Sequence, residues 1–304
     1  MARENKYYPQ SVPHPGETLA EKLEEMEMGP KEFAIRTVKP EKTITSILKG
    51  TSSITPDMAV QFENVTKIPA HFWMHHQRGY DEYIAREKWK NVIEEAKEWA
   101  TLFPIADMVK KGWLPRVVTI QEKAATMLAF FGFASHRAWE DYYFNQQLKV
   151  TFRISLRNTK EPYAISAWLR KGELQSAQLK AKDYVEKNFK EALPELTIIM
   201  AKHPDKFFKQ LQDICLEAGV KVVHTPCLPK APINGSTRWL NDTPLIQLSG
   251  RYNRNDSFRF TFFHEAGHIL LHGKKDIFLE TIEDSDVDKV KEKQADDFAL
   301  YHTR

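Results

Sequence analysis

The stretch from Phe260 to Leu271, FTFFHEAGHILL, constrains the fold of this chain most. Its apolar residues recur at helical spacing, which predicts a buried helix that carries His264, Glu265 and His268. Histidines four residues apart lie on one face of a helix, where a ring nitrogen of each can bind the same Zn²⁺ ion. The alternative is a core helix whose histidines only form internal hydrogen bonds.

The pattern H-E-x-x-H also supplies a carboxylate next to the first histidine. Bulk water has a pKa of about 15.7 and attacks a peptide carbonyl poorly, whereas water bound to Zn²⁺ has a pKa of about 7. A carboxylate beside that water can accept its proton and pass it to the leaving amine. The pattern therefore predicts Glu265 as the general base of a zinc-dependent peptidase.

A third metal ligand is predicted downstream, in the segment EKQAD. Two histidines and one carboxylate form a catalytic zinc site whose fourth position is left for water. Glu292 would complete such a site with His264 and His268. The alternative places Glu292 on a solvated helix face, where charged helix residues usually lie.

Asp296 lies one helical turn beyond Glu292, and we expect it to hold a ligand histidine through its other ring nitrogen. Asp297 competes for this role, but the spacing of four residues favours Asp296. His272, four residues beyond His268, is a weaker candidate for a ligand because it lies nearer the helix end.

The chain of 304 residues is too long for one ordinary core, so we expect two or three domains. Its two cysteines, Cys215 and Cys227, form neither a disulfide framework nor a C-x-x-C zinc motif. No apolar run reaches the roughly 18 residues of a membrane span, and the opening MARENKYYPQ lacks the apolar core of a signal peptide. We therefore expect a cytoplasmic protein with no membrane partner.

The first 80 residues have the pattern of five short helices. The expected helices are 17–26, one that begins at Pro30, 41–49, one that begins at Pro56 and one that opens at Pro69. The short turn between the second and third is typical of a helix-turn-helix DNA-binding domain. The alternative is a small helical bundle for contacts with other proteins.

In a helix-turn-helix domain the second helix of the pair enters the DNA major groove. Its exposed side chains are expected to contact base edges, while basic residues around it contact phosphates. Residues 31–49 contain five basic and two acidic side chains, which fits a surface that faces DNA. The predicted base contacts are Glu41, Lys42, Thr43, Thr45 and Ser46, and the predicted phosphate contacts are Lys31, Arg36, Lys39 and Lys49.

Residues 81–163 are predicted to form a helical connector, in which only Lys149–Ser155 alternates like a strand. Tryptophans are frequent in this part of the chain, for example Trp99 and Trp139. Such residues can line a ligand pocket, but more often they pack between helices in a core, which is the interpretation we favour.

In residues 164–304 a helix over 205–218 precedes strands at 220–224, 237–240 and 245–249. These elements predict a small antiparallel sheet beside the zinc helix, where an edge strand can hold a peptide by strand addition. The predicted fold class is therefore mainly α with a small α+β part. Its domains are a five-helix domain (1–80), the helical connector (81–163) and a C-terminal α+β domain (164–304).

The segment from His14 to Trp73 resembles the antitoxins of HigA type, a branch of the XRE family of regulators. The resemblance rests on HPGE at its start, on the glycine, isoleucine and alanine of residues 50–59, and on PAHFW at its end. It implies binding, usually as a homodimer, to a pseudo-palindromic operator in double-stranded DNA. The turn TVKP at 37–40 departs from many relatives, which have a glycine there.

From about Ala164 onward the sequence resembles the ImmA/IrrE metallopeptidases, especially those fused to a HigA-like helix-turn-helix. The matching stretches are AWLRKGEL, GVKVV, GSTRWL, IQLSGRY, FFHEAGHILLHGKK and EKQADDFA. The resemblance implies a zincin-like domain with His264, His268 and Glu292 as zinc ligands and Glu265 as general base. Relatives continue into a longer closing helix, so we expect this domain to be truncated at its C-terminus.

These expectations describe an antitoxin-like transcriptional regulator with a zinc endopeptidase domain. Its substrate would be a partner repressor, a toxin or a copy of the protein itself. The alternative is a repressor or antitoxin whose metallopeptidase-like domain is a sensor or a partner-binding module and cleaves nothing. A purely structural zinc site is disfavoured because such sites usually have four protein ligands, mostly cysteines.

Overall fold

The computed structural model describes residues 11–146, 161–229, 233–250, 255–273, 278–279 and 286–303. The chain divides into two compact units, Met1–Val92 and Ile93–Arg304. The domain boundaries expected from sequence, after residues 80 and 163, remain predictions, and the expected strand Lys149–Ser155 lies outside the described residues. Among the described residues, no helix combines the length and apolar character needed to cross a membrane.

The first unit contains the first four helices that the sequence predicts and most of the fifth. Prolines occupy the first turn of three of them, where a backbone N–H would have no hydrogen-bond partner within the helix. Gly50 lies just after the third helix and has a φ of 70°, a backbone conformation that glycine adopts without strain. The helices are α1 (Pro15–Glu25), α2 (Pro30–Arg36), α3 (Glu41–Leu48), α4 (Pro56–Thr66) and α5 (Ala70–Glu95).

The motif HPGE builds the start of α1. Nδ1 of His14 accepts a hydrogen bond from the backbone N–H of Gly16 at 2.9 Å, and the His14 N–H donates to the Glu17 carboxylate at 3.2 Å, which completes a capping box. A Cβ on Gly16 would lie only 1.9 Å from the backbone oxygen of Ile47. A glycine is therefore needed here for α1 to approach α3.

The core of the first unit is apolar and rich in rings. Phe33, Phe62 and Trp73 are fully buried, with ring centroids 4.9 Å apart for the first pair and 6.1 Å for the second. Ile44 and Ile47 fix the inward face of α3 in the same cluster. Burying a large apolar side chain contributes roughly 1.5–3 kcal/mol, so these residues hold α3 at a defined orientation in its unit.

The second unit begins with short helices packed around aromatic rings. Trp139 is fully buried, and its ring stacks on Tyr163 at a centroid distance of 5.4 Å, while Trp99 and Phe103 meet it edge-on. These rings form a core, as the favoured interpretation predicts. The elements are α6 (Lys97–Thr101), α7 (Ile105–Lys110), α8 (Ile120–Phe131), α9 (His136–Glu140), a π-helical segment (Asp141–Gln146) and α10 (Pro162–Ser176).

The rest of the second unit combines helices with a four-stranded sheet, so the mainly α fold class with a small α+β part is confirmed. The helices are α11 (Glu186–Lys202), α12 (Phe207–Glu217), α13 (Asn255–His272) and α14 (Asp286–Thr303). The strands are β1 (Lys221–His224), β2 (Gly235–Leu240), β3 (Thr243–Leu248) and β4 (Phe278–Leu279).

The sheet order is β1-β3-β2-β4. Strand β2 pairs antiparallel with β3 and β4, as expected, but β1 pairs parallel with β3, so the sheet is mixed rather than antiparallel throughout. A parallel pair needs a crossover, and the chain from β1 passes through β2 before it reaches β3. Val222, Ile246 and Leu248 of this sheet share one core with Phe262 and Phe263 of α13.

Candidate metal centre and nucleic-acid interface

Helix α13 places three ionisable side chains inside the protein. Phe262, Phe263 and Ile269 anchor the helix in the core of the second unit. On another face of the same helix, His264 and His268 are only 2% and 1% exposed. The buried helix that the apolar pattern predicts is therefore present, and its histidines point toward α14.

A glycine allows α14 to approach this face. A Cβ on Gly267 would lie 3.2 Å from the ring of Phe298 and 3.3 Å from Cα of Ala295. Most larger side chains at this position would push the two helices apart. Their close packing brings Glu292 over the two histidines.

Ligand atoms of His264, His268 and Glu292 converge, all within 4.8 Å of one another. The two histidine Nε2 atoms are 3.0 Å apart, and the Glu292 carboxylate lies 3.1 Å from Nε2 of His264 and 3.5 Å from Nε2 of His268. Two ligand atoms of a tetrahedral zinc ion, each at about 2.0–2.1 Å, are about 3.3 Å apart. The three residues therefore fit such an ion at the level of both chemistry and spacing.

The other ring nitrogens of the two histidines contact polar neighbours. Nδ1 of His264 lies 2.9 Å from Oδ1 of Asp296, and Nδ1 of His268 lies 3.0 Å from Nδ1 of His272. Nε2 of His272 lies in turn 3.0 Å from Oε1 of Gln294. Contacts of this kind fix ring orientation and leave Nε2 for a metal.

These contacts distinguish between the candidate residues that the sequence offers for supporting or binding the metal. Asp296 reaches His264, whereas Asp297 is exposed on α14. His272 stands behind His268 rather than beside the three converging ligands. The assignment of Asp296 as supporting carboxylate, like the other site assignments, remains a prediction.

Burial and hydrogen bonding set the charges of this cluster. Burial, only partly opposed by the Glu292 carboxylate, lowers the pKa of His268 to about 4. Burial alone would raise the pKa of Glu292, but the hydrogen bonds of its carboxylate to His264 and His268 outweigh it and lower the pKa to about 2. At neutral pH the cluster thus offers a neutral imidazole at His268 and an ionised carboxylate, the forms that bind a metal.

Glu265 is fully buried beside the start of β2. A Cβ on Gly235 would lie 2.5 Å from Oε1 of Glu265, so the strand passes close to this carboxylate only because residue 235 is glycine. The Thr237 hydroxyl donates a hydrogen bond to the backbone oxygen of Glu265 at 2.9 Å, which ties helix and strand together at this point.

A buried polar network supports the sheet from the opposite side, and sequence analysis missed it. The Arg238 guanidinium donates to the backbone oxygen of Leu169 at 2.6 Å and to Oε1 of Gln247 at 3.1 Å. The Gln247 amide donates to the backbone oxygen of Trp168 at 2.7 Å. The available signal was an arginine and a glutamine inside short apolar strands, where charged and amide groups need partners.

Helix α3 presents its predicted base contacts to different degrees. Glu41 and Lys42 are exposed, Thr43, Thr45 and Ser46 are half-buried, and Lys49 just beyond the helix is exposed. The opposite face of α3 is buried in the core of its unit. All of the residues predicted to contact DNA on this part of the chain therefore retain some accessible surface.

The predicted phosphate contacts fall into two groups. Arg36 pairs with Glu32 at 2.6 Å, and the Lys39 ammonium pairs with the Asp57 carboxylate. Lys31 and Lys49 are exposed and form no ion pair within the described residues. The second group is free to bind a phosphate, whereas the first must give up a carboxylate to do so.

The turn between α2 and α3 contains a strained residue. Val38 has a φ of 55°, in the left-handed region that β-branched residues rarely adopt, and is 83% exposed. The helix-turn-helix geometry is therefore kept here at a cost in backbone strain.

Comparison with protein-family models supports the assignment of the second unit. Residues 215–303 match the model described as the IrrE N-terminal-like domain, of the peptidase family M78. The match includes β1–β4, α13 and α14, and with them every residue of the candidate metal centre. No curated protein matches the chain.

Comparison with solved structures concerns the first part of the chain. An addiction module antidote protein of the HigA family from Coxiella burnetii is 33% identical, over 28% of this chain and 95% of that chain, with a TM-score of 0.27. The antitoxin HigA of Pseudomonas aeruginosa, solved with the higBA promoter, is 29% identical over 26% and 86% of the two chains (TM-score 0.25). PA4674 of Pseudomonas aeruginosa, solved in complex with its operator DNA, is 29% identical over 25% of this chain and 84% of that chain (TM-score 0.25).

Proposed function

This chain belongs to the HigA family of antidote proteins over its first part, and on that premise we propose that it is an operator-binding regulator with a zinc-dependent peptidase domain. The convergence of His264, His268 and Glu292 next to the buried Glu265 carries the proposal. Zinc held there would polarise a peptide carbonyl and lower the pKa of water. Its substrate is a regulatory protein, either a repressor, a toxin or a second copy of this chain.

In the proposed reaction each residue of the chain has a separate task. Nε2 of His264, Nε2 of His268 and the Glu292 carboxylate would hold the ion, while Asp296 and His272 orient the two rings. The Glu265 carboxylate would accept a proton from water and pass it to the nitrogen of the leaving amine. Burial of this carboxylate excludes bulk water from the proton transfer.

The first unit would direct the peptidase to an operator. Exposed side chains of α3, above all Lys42, are proposed to contact base edges in the major groove, with Lys31 and Lys49 on phosphates. A homodimer would match a pseudo-palindromic site, because two identical reading helices require two related half-sites. Support comes from family membership and from the exposure of these side chains.

The test combines metal analysis with a near-isosteric variant. Purified wild-type protein should contain about one zinc per chain and should cleave a candidate repressor, toxin or second copy. Glu265→Gln keeps the three ligands and should retain zinc and operator binding, while cleavage falls about 10²–10⁴-fold because the general base is lost. Wild-type protein without stoichiometric zinc would contradict the enzymatic half of the proposal.

The same variants distinguish the non-proteolytic alternative. If the domain only senses a metal or binds a partner, Glu265→Gln should leave regulation of the operator unchanged. His264→Ala should alter it, because metal binding is lost. If the domain acts by proteolysis, both variants should abolish the regulatory response.

A further inference from the structure

Strand β2 contacts the proposed general base at two points, both on its face toward α13. The Thr237 hydroxyl bonds to the backbone of Glu265, and Gly235 lies against the Glu265 carboxylate. We propose that Thr237 is a positioning residue, whose hydroxyl holds β2 against α13 so that the strand confines this carboxylate to one orientation. The inference rests on the proposed peptidase function and adds to it a residue that acts through the base.

The hydrogen bond of Thr237 is not needed to complete the helix. The hydroxyl belongs to a residue that is only 1% exposed, and it donates to the backbone oxygen of Glu265 at 2.9 Å. Glu265 lies inside α13, where a backbone oxygen accepts from the N–H four residues further on. A carbonyl oxygen has two lone pairs, so the hydroxyl adds a second bond. This second bond therefore joins the strand to the helix and builds neither of them.

Gly235 makes the other contact with the base. It lies two residues before Thr237, so the two residues share one face of β2 and are about 6.6 Å apart. A Cβ on Gly235 would lie 2.5 Å from Oε1 and 3.0 Å from Cγ of Glu265. The backbone of the strand thus forms a wall beside the carboxylate. How tightly this wall confines the carboxylate depends on how closely β2 approaches α13.

The opposite face of β2 is fixed by other contacts. The Arg238 guanidinium donates to the backbone oxygen of Leu169 at 2.6 Å and to Oε1 of Gln247 at 3.1 Å. All six residues of β2 also pair with β3. These contacts hold the strand in its sheet and against α10. The apolar core packs α13 on the sheet as a whole, and the Thr237 hydroxyl fixes the separation at the base itself.

Three substitutions isolate the effect of this hydroxyl. Thr237→Val keeps the shape of the side chain and removes the hydroxyl, while the Glu265 oxygen keeps its bond within the helix. Thr237→Ser retains the hydroxyl. Ser236→Ala is the matched control, because Ser236 is also fully buried in β2 but faces away from α13. The Ser236 hydroxyl has no hydrogen-bond partner within the described residues, so its removal breaks no such contact.

The first experiment observes the carboxylate without requiring catalysis. Full-length protein labelled with ¹³C at the glutamate carboxylates is studied by NMR after one equivalent of zinc is added, and Glu265→Gln identifies the signal of Glu265. We expect one sharp signal in wild type, Thr237→Ser and Ser236→Ala. In Thr237→Val the signal should shift or broaden, because the carboxylate is no longer confined. An unchanged signal in Thr237→Val, or the same change in Ser236→Ala, would overturn the proposal.

The second experiment measures cleavage of a peptide that the wild-type protein selects from a randomised library. One hydrogen bond shifts an equilibrium by up to about 10-fold, so Thr237→Val should lower kcat by about that factor and leave KM and zinc content unchanged. Thr237→Ser and Ser236→Ala should cleave as wild type does. A higher KM with an unchanged kcat would place Thr237 in substrate binding and overturn the proposal.

The two experiments separate the positioning of the carboxylate from the activity. Wild-type protein that cleaves no peptide would contradict the proposed function, and the Glu265 signal would still decide whether Thr237 confines the carboxylate. Cleavage that Thr237→Val leaves intact would overturn the positioning role and leave the peptidase standing. Loss of zinc or of folded protein in Thr237→Val would overturn it too, because Thr237 would then support the fold rather than the base.

Discussion

The two sets of functional side chains in this chain lie in opposite environments. His264, Glu265 and His268 are almost completely buried, whereas Lys42 and Lys49 of the proposed DNA-reading region are exposed. A buried polar group must find its partners inside the protein, so the geometry of the metal centre is largely formed by the chain itself. Lys42 and Lys49 form no ion pair within the part of the chain that the structure describes, so a DNA ligand would supply their partners.

This difference determines what each set can tolerate. The metal centre depends on distances of about 3 Å between fixed atoms, so the loss of one supporting contact should weaken metal binding substantially. The side chains proposed to face DNA would act through charges in water, and their contributions should fall with salt.

The largest effect is expected at Asp296. Asp296→Ala removes the contact to Nδ1 of His264 and should lower zinc affinity about 10- to 100-fold, because the ring is no longer held. Asp297→Ala removes an exposed carboxylate one residue away and should leave affinity unchanged. Competition with a coloured chelator measures both. Equal losses in the two variants would show that only net charge matters.

The next effect concerns packing in the first unit. Gly16→Ala would place a Cβ 1.9 Å from the Ile47 oxygen, and we expect the unit to lose about 1–3 kcal/mol of unfolding free energy. Gly79→Ala, in α5, meets no atom within 4 Å and should stabilise the helix by about 0.5–1 kcal/mol. Chemical denaturation of both variants should show opposite signs. A neutral Gly16→Ala would mean that α1 can move away from α3.

Two lysines, one unpaired within the described residues and one paired with a carboxylate, test the proposed DNA-binding surface. Lys42→Ala should weaken operator binding by about 1–3 kcal/mol if the side chain contacts a base edge. Lys39 should contribute less, since its ammonium is paired with Asp57, and its loss should weaken binding to all sequences similarly and flatten the salt dependence. Fluorescence anisotropy at several salt concentrations measures both. Binding that does not depend on salt would contradict both assignments.

The features that follow from local spacing could be predicted from sequence. Residues at i and i+4 lie together on a helix, so the histidine pair and the preference for Asp296 over Asp297 translate directly into geometry. The five helices of the first unit begin at prolines or caps that the sequence displays. In both regions the information lies within a few residues of the feature.

The features that join distant parts of the chain could not be predicted. The Arg238 guanidinium donates a hydrogen bond to the backbone oxygen of Leu169, 69 residues away. Strand β1 pairs parallel with β3, although β2 lies between them in the sequence. His272 was expected only as a weaker ligand candidate near the helix end, and its contact with Gln294 arises from the packing of α13 on α14. Each of these contacts depends on the tertiary fold, and no local pattern specifies its partner.

The smallest effect concerns the cap of α1 and its dependence on pH. Burial lowers the pKa of His14 below its usual 6.5, although Asp81 and Glu17 oppose this shift and His76 adds to it. Its Nδ1 accepts the Gly16 N–H, so the helix start needs the neutral ring. Below pH 6.5 the unfolded chain binds the proton more readily, and the stability that the neutral cap contributes should be lost as pH falls.

His14→Asn supplies a matched control, because asparagine also caps helices but does not titrate in this range. Denaturant titrations of the first unit at pH 8 and pH 5 would compare the two proteins. We expect wild type to lose more stability than His14→Asn on acidification, since only the wild-type cap is protonated. An equal loss in both would mean that His14 keeps its usual pKa in the folded protein.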